Sequence, residues 1–488
     1  LCRFWCLLTD VIFSQSRFFM AVDNRARLAF AFSGAAQGLI SNGILYFLLI
    51  YYSQVLGLDA SLAGLALMIA MIFDAVSDPL IGRWSDRLRH RLGRRHPFLY
   101  ISIVPVTISY YLLWDVPELS QTGLFFYLLV MIITLRVCLT AHVVPFSALT
   151  PELAPDYDER TALMSSSNSS YWFISTIMGT AMYAYWLADN ADYPDGAGVL
   201  RQEGYIESGF VTAIVVFFAL SAATHLTRKY IPELSGPPDQ SGSVAEGIKQ
   251  AGATIKDKNF LVIGLYGVFF GCAMGTATAL WVYIQPYFWG FDSEQISIML
   301  LGQLLSALIA YAVLPTIMRG RDKKPVLISI SILALLINCL PVFLSLFNLF
   351  PANGTTALFY TMFVLGIAQV TVIVITASLS GSILADVVDA RAVDTGRREE
   401  GLLFSVQSFI SKVASGIGVS IAGMVLTLIS FPSDSLSTAL IPETVSNLGW
   451  AYAGTLGFFF VLSIITLLFY SADRATHEQN ISILDSLS

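Results

Sequence analysis

The chain reads as an all-α integral membrane protein of about twelve transmembrane helices arranged in two six-helix halves. Three observations predict this: recurrent apolar stretches of membrane-spanning length, a concentration of Lys and Arg in alternate connections, and a short internal echo. Of the 488 residues, 56% are hydrophobic and 12% charged, where soluble domains carry about 25% charged residues. The mean hydropathy is +0.69. Stretches long enough to cross a hydrocarbon core of about 30 Å fall near 28–52, 61–82, 98–114, 123–149, 162–188, 209–227, 260–289, 295–318, 325–348, 356–384, 401–430 and 450–471.

Charge placement supports the same map. Of the 27 Lys and Arg, 19 lie in even-numbered connections, five in the tails, and one, Arg201, in an odd-numbered connection. Arg136 and Lys412 lie inside spans. The positive-inside rule then places the even connections and both termini in the cytoplasm. The odd connections carry acids such as Asp59, Asp115, Glu118, Asp189, Asp192 and Asp195. The net charge of −7 comes with no basic stripe of nucleic-acid-binding character. Cys2, Cys6, Cys138, Cys272 and Cys339 show no CxxC spacing, so they indicate neither a disulfide framework nor a zinc site.

The expected organisation is an upstream extension over 1–19 before a natural-looking start at Met20, a first half over 20–227, a Pro/Gly/Ser-rich linker over 228–258, a second half over 259–472 and a tail over 473–488. Gly93-Arg94-Arg95-His96-Pro97 returns as Gly320-Arg321-Asp322-Lys323-Lys324-Pro325, and Phe173-Ile174-Ser175 returns as Phe409-Ile410-Ser411. Two echoes at similar offsets favour duplicated halves, the plan of alternating-access carriers with a site near the midplane.

The second span holds Asp74-Ala75-Val76-Ser77-Asp78-Pro79. Carboxylates at i and i+4 share one helix face. A charge at the bilayer centre costs at least about 2.5–3.5 kcal/mol on insertion scales, so such residues face water or a partner. Two carboxylates and the Ser77 hydroxyl are hard ligands suited to a hard cation, sodium for example at Asp74 and Asp78. A close acid pair also favours protonation. Mere structural pairing is the plainer alternative. After it come Gly82, Asp86, Arg87, Gly93, Arg94 and Arg95, in which glycines permit a tight turn and Asp86 accepts bonds from arginines at the mouth.

Together these stretches resemble the signature of the glycoside-pentoside-hexuronide:cation symporters, the melibiose-permease-like branch of the major facilitator superfamily. Thr140, followed by Pro145-Phe146, resembles the helix-IV segment that lends a hydroxyl to that family's cation site. Glu152, Asp156, Asp158 and Arg160 are similar to its charged connection between helices IV and V. Asp386, Asp389, Thr395-Gly396-Arg397 and Glu400-Gly401 precede Lys412, which matches a lysine the family places near its central site. The resemblance covers nearly the whole chain from about residue 28 and implies a cation-coupled (Na+ or H+) carrier with no other cofactor.

The resemblance breaks at Leu39, Val143 and Asn168, where melibiose permease has two acids and an arginine for its sugar. The cation half of the site persists and the galactoside half does not. Arg136, one turn before Thr140, either completes a neutral quartet with Asp74, Asp78 and Lys412 or, like Lys412, holds an acidic substrate such as a hexuronide. Asn42, Asn168, Gln369 and Gln407 can hydrogen-bond a sugar and Trp172 can stack on one; packing and helix-helix glue is the plainer alternative for each. His142 lies on a different helix face from Thr140 and reads as structural.

The leading expectation is a symporter of a small polar solute in a plasma membrane, bacterial inner membrane by the resemblance, acting as a monomer in the bilayer. A lysolipid-type carrier of the same fold is the alternative within transport. No HExxH, GxSxG or P-loop motif is present, which argues against a membrane enzyme. No connection is long enough for the extramembrane domain of a non-transporting sensor.

Overall fold

A computed structural model describes residues 23–154, 157–194, 196–233, 257–395, 400–432 and 441–471. Twelve long helices follow one another: α1 (Asn24–Val55), α2 (Ala60–Arg87), α3 (His96–Leu112), α4 (Gln121–Ser147), α5 (Tyr157–Ala181) and α6 (Gln202–Thr227) before the linker. After it come α7 (Lys258–Phe288), α8 (Ser293–Met318), α9 (Lys323–Leu346), α10 (Thr356–Thr395), α11 (Glu400–Leu428) and α12 (Pro442–Leu468). Among the described residues there is no strand. Most of the expected linker, the upstream extension and the expected tail lie outside the described residues.

Ten of the twelve are long and apolar enough to cross a membrane; α3 and α5 are the two that are not. The reasons differ. α3 is short, at 17 residues, about 25 Å at 1.5 Å per residue. α5 has the length but carries Ser165-Ser166-Ser167-Asn168-Ser169-Ser170 in its first half. Such a run is tolerated at membrane depth only beside protein or water.

Helix starts are built from local chemistry. Asp59, Ser120 and Asp257 accept backbone N–H bonds at the first turns of α2, α4 and α7, and Asp292 with Gln295 forms a reciprocal capping box on α8, satisfying donors that a helix start leaves free. α6 and α12 begin seven or eight residues before their apolar stretches, and Glu203 and Glu443 in their first turns suit the positive end of the helix dipole.

The two sets of six pack in the same pattern: α1 on α5 and α6, α2 on α4, α3 on α6; then α7 on α11 and α12, α8 on α10, α9 on α12. Small residues set the closest pairs. A Cβ on Gly34 or Gly38 of α1 would stand 2.1 or 2.3 Å from a backbone oxygen of α5, and one on Gly275 of α7 would stand 2.3 Å from the Ser415 oxygen of α11. Such spacing lets backbones touch. The loop echo is structural as well: Gly93 and Gly320 have φ of +74° and +70°, a conformation glycine takes without a Cβ penalty.

The halves meet along α2 and α11 and along α5 and α8, most tightly at the end opposite the basic loops. There Gly64 and Gly423 admit the α11 and α2 backbones, and Ser53 Oγ lies 2.6 Å from Tyr283 Oη across the halves. Asp189, in the α5–α6 connection, accepts bonds from Gly196 N (3.0 Å) and Gly198 N (3.1 Å) of its own strap. It also accepts from Ser293 N (3.1 Å) and Ser293 Oγ (2.9 Å) at the start of α8. A carboxylate of one half is thus seated on a helix N-terminus of the other, where charge and dipole agree.

Breaking this latch is expected to loosen that end. With a reporter cysteine at the buried Ser53, Asp189→Asn is expected to raise thiol-labelling rate about tenfold over the reporter alone, as a lost charge-assisted bond of roughly 1.5–3 kcal/mol permits. An unchanged labelling rate would show that the latch does not hold the closed end.

Candidate functional site

α2 carries Asp74 and Asp78 on one face at the contact with α4 and α11. Two local features set their presentation. Pro79 cannot donate to the Ala75 carbonyl, which loosens the helix beside Asp78. The Ser77 hydroxyl turns back and donates to the Asp74 backbone oxygen at 3.0 Å. Ser77 is therefore absent from the carboxylate cluster, contrary to its expected role, because a hydroxyl this short reaches its own helix carbonyl first.

Thr140 on α4 is buried, with Oγ1 2.9 Å from Asp74 Oδ1 and 3.1 Å from Asp78 Oδ1. Its single proton serves one carboxylate at a time. From α11 in the other half, Lys412 places Nζ 3.0 Å from Asp74 Oδ2 and 2.5 Å from Asp78 Oδ2. Arg136 on α4 approaches the inner carboxylate only, its Nη1 standing 3.9 Å from Asp74 Oδ2. Two carboxylates and two cations thus form a neutral cluster spanning both halves. The Asp74 side chain is 10% exposed, whereas Asp78 and Lys412 are 29% and 32% exposed, so Asp74 is the inner member and Asp78 the outer.

The remaining residues separate into two groups. Ser165, Asn168, Ser169 and Trp172 are exposed on one face of α5, and Ser405, Ser408 and Ser411 are exposed on α11 beside Lys412. Both are polar faces of helices in the bundle. Gln369 is elsewhere: its Nε2 donates to Asn338 Oδ1 at 2.7 Å, joining α10 to α9. Gln407 presses its amide against Gly267 of α7, leaving Oε1 without a partner among the described residues. Asn42 is buried against Gly179 of α5. His142 is buried, with Nδ1 3.2 Å from Ser102 Oγ and its ring stacked on Phe146, which fits its structural reading. Cys138, Cys272 and Cys339 are free thiols.

At the basic end, the Gly82–Arg95 stretch folds into a clamp. Glu152 accepts from Arg94 at 2.7 Å and pairs with Arg95 at 2.8 Å. Asp86 stands 4.0 and 3.7 Å from the same two arginines, and Arg95 also donates to the Ala148 carbonyl. Gly82 packs near Val144, and Arg87 is exposed. The clamp therefore ties α2, the α2–α3 loop and the end of α4 within one half. A counterpart that motif reading missed sits in the other half: Lys323 after the second loop pairs with Asp386 of α10 at 2.7 Å. Its signal was the loop echo itself. Asp156, Gly396 and Arg397 lie outside the described residues.

The chain is 25% identical to an uncharacterized symporter of Synechocystis over 92% of this chain and 94% of that one. It is 23% identical to an isoprimeverose transporter of Lactiplantibacillus pentosus over 92% and 88%. A sodium-dependent lysophosphatidylcholine symporter of Gallus gallus is 30% identical over 32% of this chain and 30% of that one. Among solved structures, the nucleoside transporter NupG shares the architecture, with a TM-score of 0.62, 15% identity and coverage of 91% of this chain and 100% of that chain. The model of the family described as MFS/sugar transport protein matches residues 29–474; the chain belongs to that family of membrane transporters and is not an enzyme.

Proposed function

We propose that the protein is a cation-coupled symporter of a sugar, glycoside, pentoside or hexuronide, working by alternating access. One observation carries the reading: the Lys412 ammonium lies 3.0 and 2.5 Å from Asp74 and Asp78, with Thr140 bonded to the same pair. The ammonium stands where a coupling Na+ or H+ would be held. Two carboxylates at this spacing repel each other when bare, so some cation must occupy them. An entering ion satisfies the pair and frees Lys412 from it. The released ammonium then faces the polar surfaces of α5 and α11, where it meets a solute. Each ligand thus improves the site for the other, by the same factor in both directions.

The polar faces of α5 and α11 support a water-filled passage between the halves, opening at the basic end; in this reading the excess of Lys and Arg there faces the cytoplasm, and the family resemblance favours a bacterial inner membrane. With the far end closed by the Asp189 latch, this is the inward-facing arrangement. Asn168 and Trp172 on α5 are the sugar-facing residues of this reading. Arg136 beside Asp74 favours a solute bearing a carboxylate, hence a hexuronide over a neutral galactoside. The isoprimeverose transporter is a relative consistent with a glycoside substrate. A lysolipid-type substrate is the second reading, favoured by the 30% identity to the lysophosphatidylcholine symporter over about a third of the chain.

Solute binding to the purified chain, measured against sodium concentration at fixed pH and against pH without sodium, tests the assignment and identifies the ion. Sugars, uronides and lysolipids run as competing ligands discriminate the two substrate readings. Asp78→Asn and Asp74→Asn are each expected to reduce cation-stimulated binding at least tenfold in a folded protein. Thr140→Ala is expected to cost about threefold, since one neutral hydrogen bond of roughly 0.5–1.5 kcal/mol is lost. Full cation stimulation in both Asn variants would overturn the site.

Lys412→Ala is expected to bind the cation as tightly as the parent or more tightly, because the competing ammonium is gone, while the cation no longer improves solute affinity. Retention of the parent's coupling in this variant would reduce Lys412 to a structural charge. Arg136→Gln is expected to lower affinity for uronides about tenfold relative to neutral sugars; an equal loss for both would remove Arg136 from substrate choice.

A further inference from the structure

Three arginines from distant parts of the sequence converge at the basic end, away from the carboxylate cluster and the Asp86–Glu152 clamp. Arg25 is in the first turn of α1, Arg91 in the α2–α3 connection, and Arg228 opens the short turn Arg228–Glu233 that follows α6. They line one cavity of ≈ 580 Å³ whose wall also includes Lys229 and whose apolar floor includes Leu226 and Ile231. Lys229 is already committed: it is salt-bridged to Asp23, which also accepts from the Tyr230 hydroxyl at 2.6 Å. Those bonds, Lys229's first, hold the Asp23 carboxyl well below the usual range, so it stays ionised and paired. Among the described residues, no ion pair involves Arg25, Arg91 or Arg228.

The three arginines are exposed, and cationic groups around one shared cavity focus a positive potential there that attracts an anion. Their planar forks of donors match phosphate and carboxylate oxygens alike in bidentate fashion; a phosphate group, with more oxygens and more charge, can serve several guanidiniums at once where a carboxylate has two oxygens. The apolar floor beside a cationic rim suits a ligand that is charged at one end and apolar behind, and basic pockets between helices at a membrane surface bind phospholipid headgroups. We propose that this cavity is a binding site for a phosphate-bearing anion. Two sources share that chemistry, an anionic phospholipid headgroup and a soluble phosphate ester.

The test uses the full chain in nanodiscs of phosphatidylcholine with and without phosphatidylglycerol, and in detergent with added inorganic phosphate. Retained lipid is read by native mass spectrometry and stability by thermal midpoint. The parent protein is expected to retain phosphatidylglycerol over phosphatidylcholine by tenfold or more, an advantage that the combined variant Arg25→Gln, Arg91→Gln, Arg228→Gln loses. The matching triple Lys variant should keep most of it. Should the triple Gln variant not fold, the exposed loop change Arg91→Gln alone is expected to weaken the preference about threefold. Stabilisation by phosphatidylglycerol that inorganic phosphate does not reproduce identifies the lipid as the source; stabilisation by inorganic phosphate, with displacement of the lipid, identifies a soluble ester. A Gln variant that keeps the parent's lipid preference and phosphate response overturns the site. Cation-stimulated solute binding, measured on the same samples, is expected to be unchanged, so a failure here is separable from a failure of the transport reading.

Discussion

The arrangement depends on one ammonium group shared by two carboxylates across the boundary between the halves. Lys412 is supplied by α11 and the aspartates by α2, and neither set is stable alone: two bare carboxylates repel, and a lone lysine within a helix bundle is costly. Removing one partner from a buried ion pair typically costs about 3–5 kcal/mol, and here the outer members are partly wet, so the loss is smaller and the pair is exchangeable. That intermediate exposure suits an ion pair that an entering cation exchanges, as the proposed coupling requires. A fully dry pair would be too rigid, and a fully exposed one would be worth little.

Much of this was legible in the chain. Ten of the twelve helices follow from apolar length, while α3 is too short and α5 too serine-rich to stand on that alone; the carboxylate pair follows from its i, i+4 spacing. Lys412 stood out as one of two cations inside spans. Thr140 came from resemblance rather than spacing, and the structure brings it into bonding distance of both aspartates. What was not legible depended on side-chain reach or on loops. Ser77 has the right chemistry, yet its own backbone lies closer than the carboxylates. Gln369 has the donors for a sugar but spends them on Asn338, one helix away. Asp189 read only as an acid in an odd connection, since nothing periodic links it to Ser293, 104 residues further on.

The ionic clamps show how duplication preserves a role while changing its parts. In the first half two arginines share Glu152 and Asp86; in the second one lysine meets Asp386. Both stand just after a glycine of positive φ and tie the entry of the third helix of the half to the end of its fourth. A guanidinium pair with two acids gives directional, multiply bonded support, whereas an ammonium with one carboxylate is a point contact.

The glycine contacts between α1 and α5, and between α7 and α11, carry a mechanical consequence. Backbones in contact over several turns leave no compressible side-chain layer between them, so each pair moves as one doubled rod. Relative motion of the halves then falls on the seams between rods, chiefly α2–α11 and α5–α8, with the α1–α7 contact at Ser53 and Tyr283 closing the end opposite the basic loops. Each rod pairs a helix with an exposed polar face, α5 or α11, with a glycine-bearing helix, α1 or α7. In the alternating-access cycle proposed above, a covalent tie within a rod leaves the cycle intact, and the same tie across a seam arrests it.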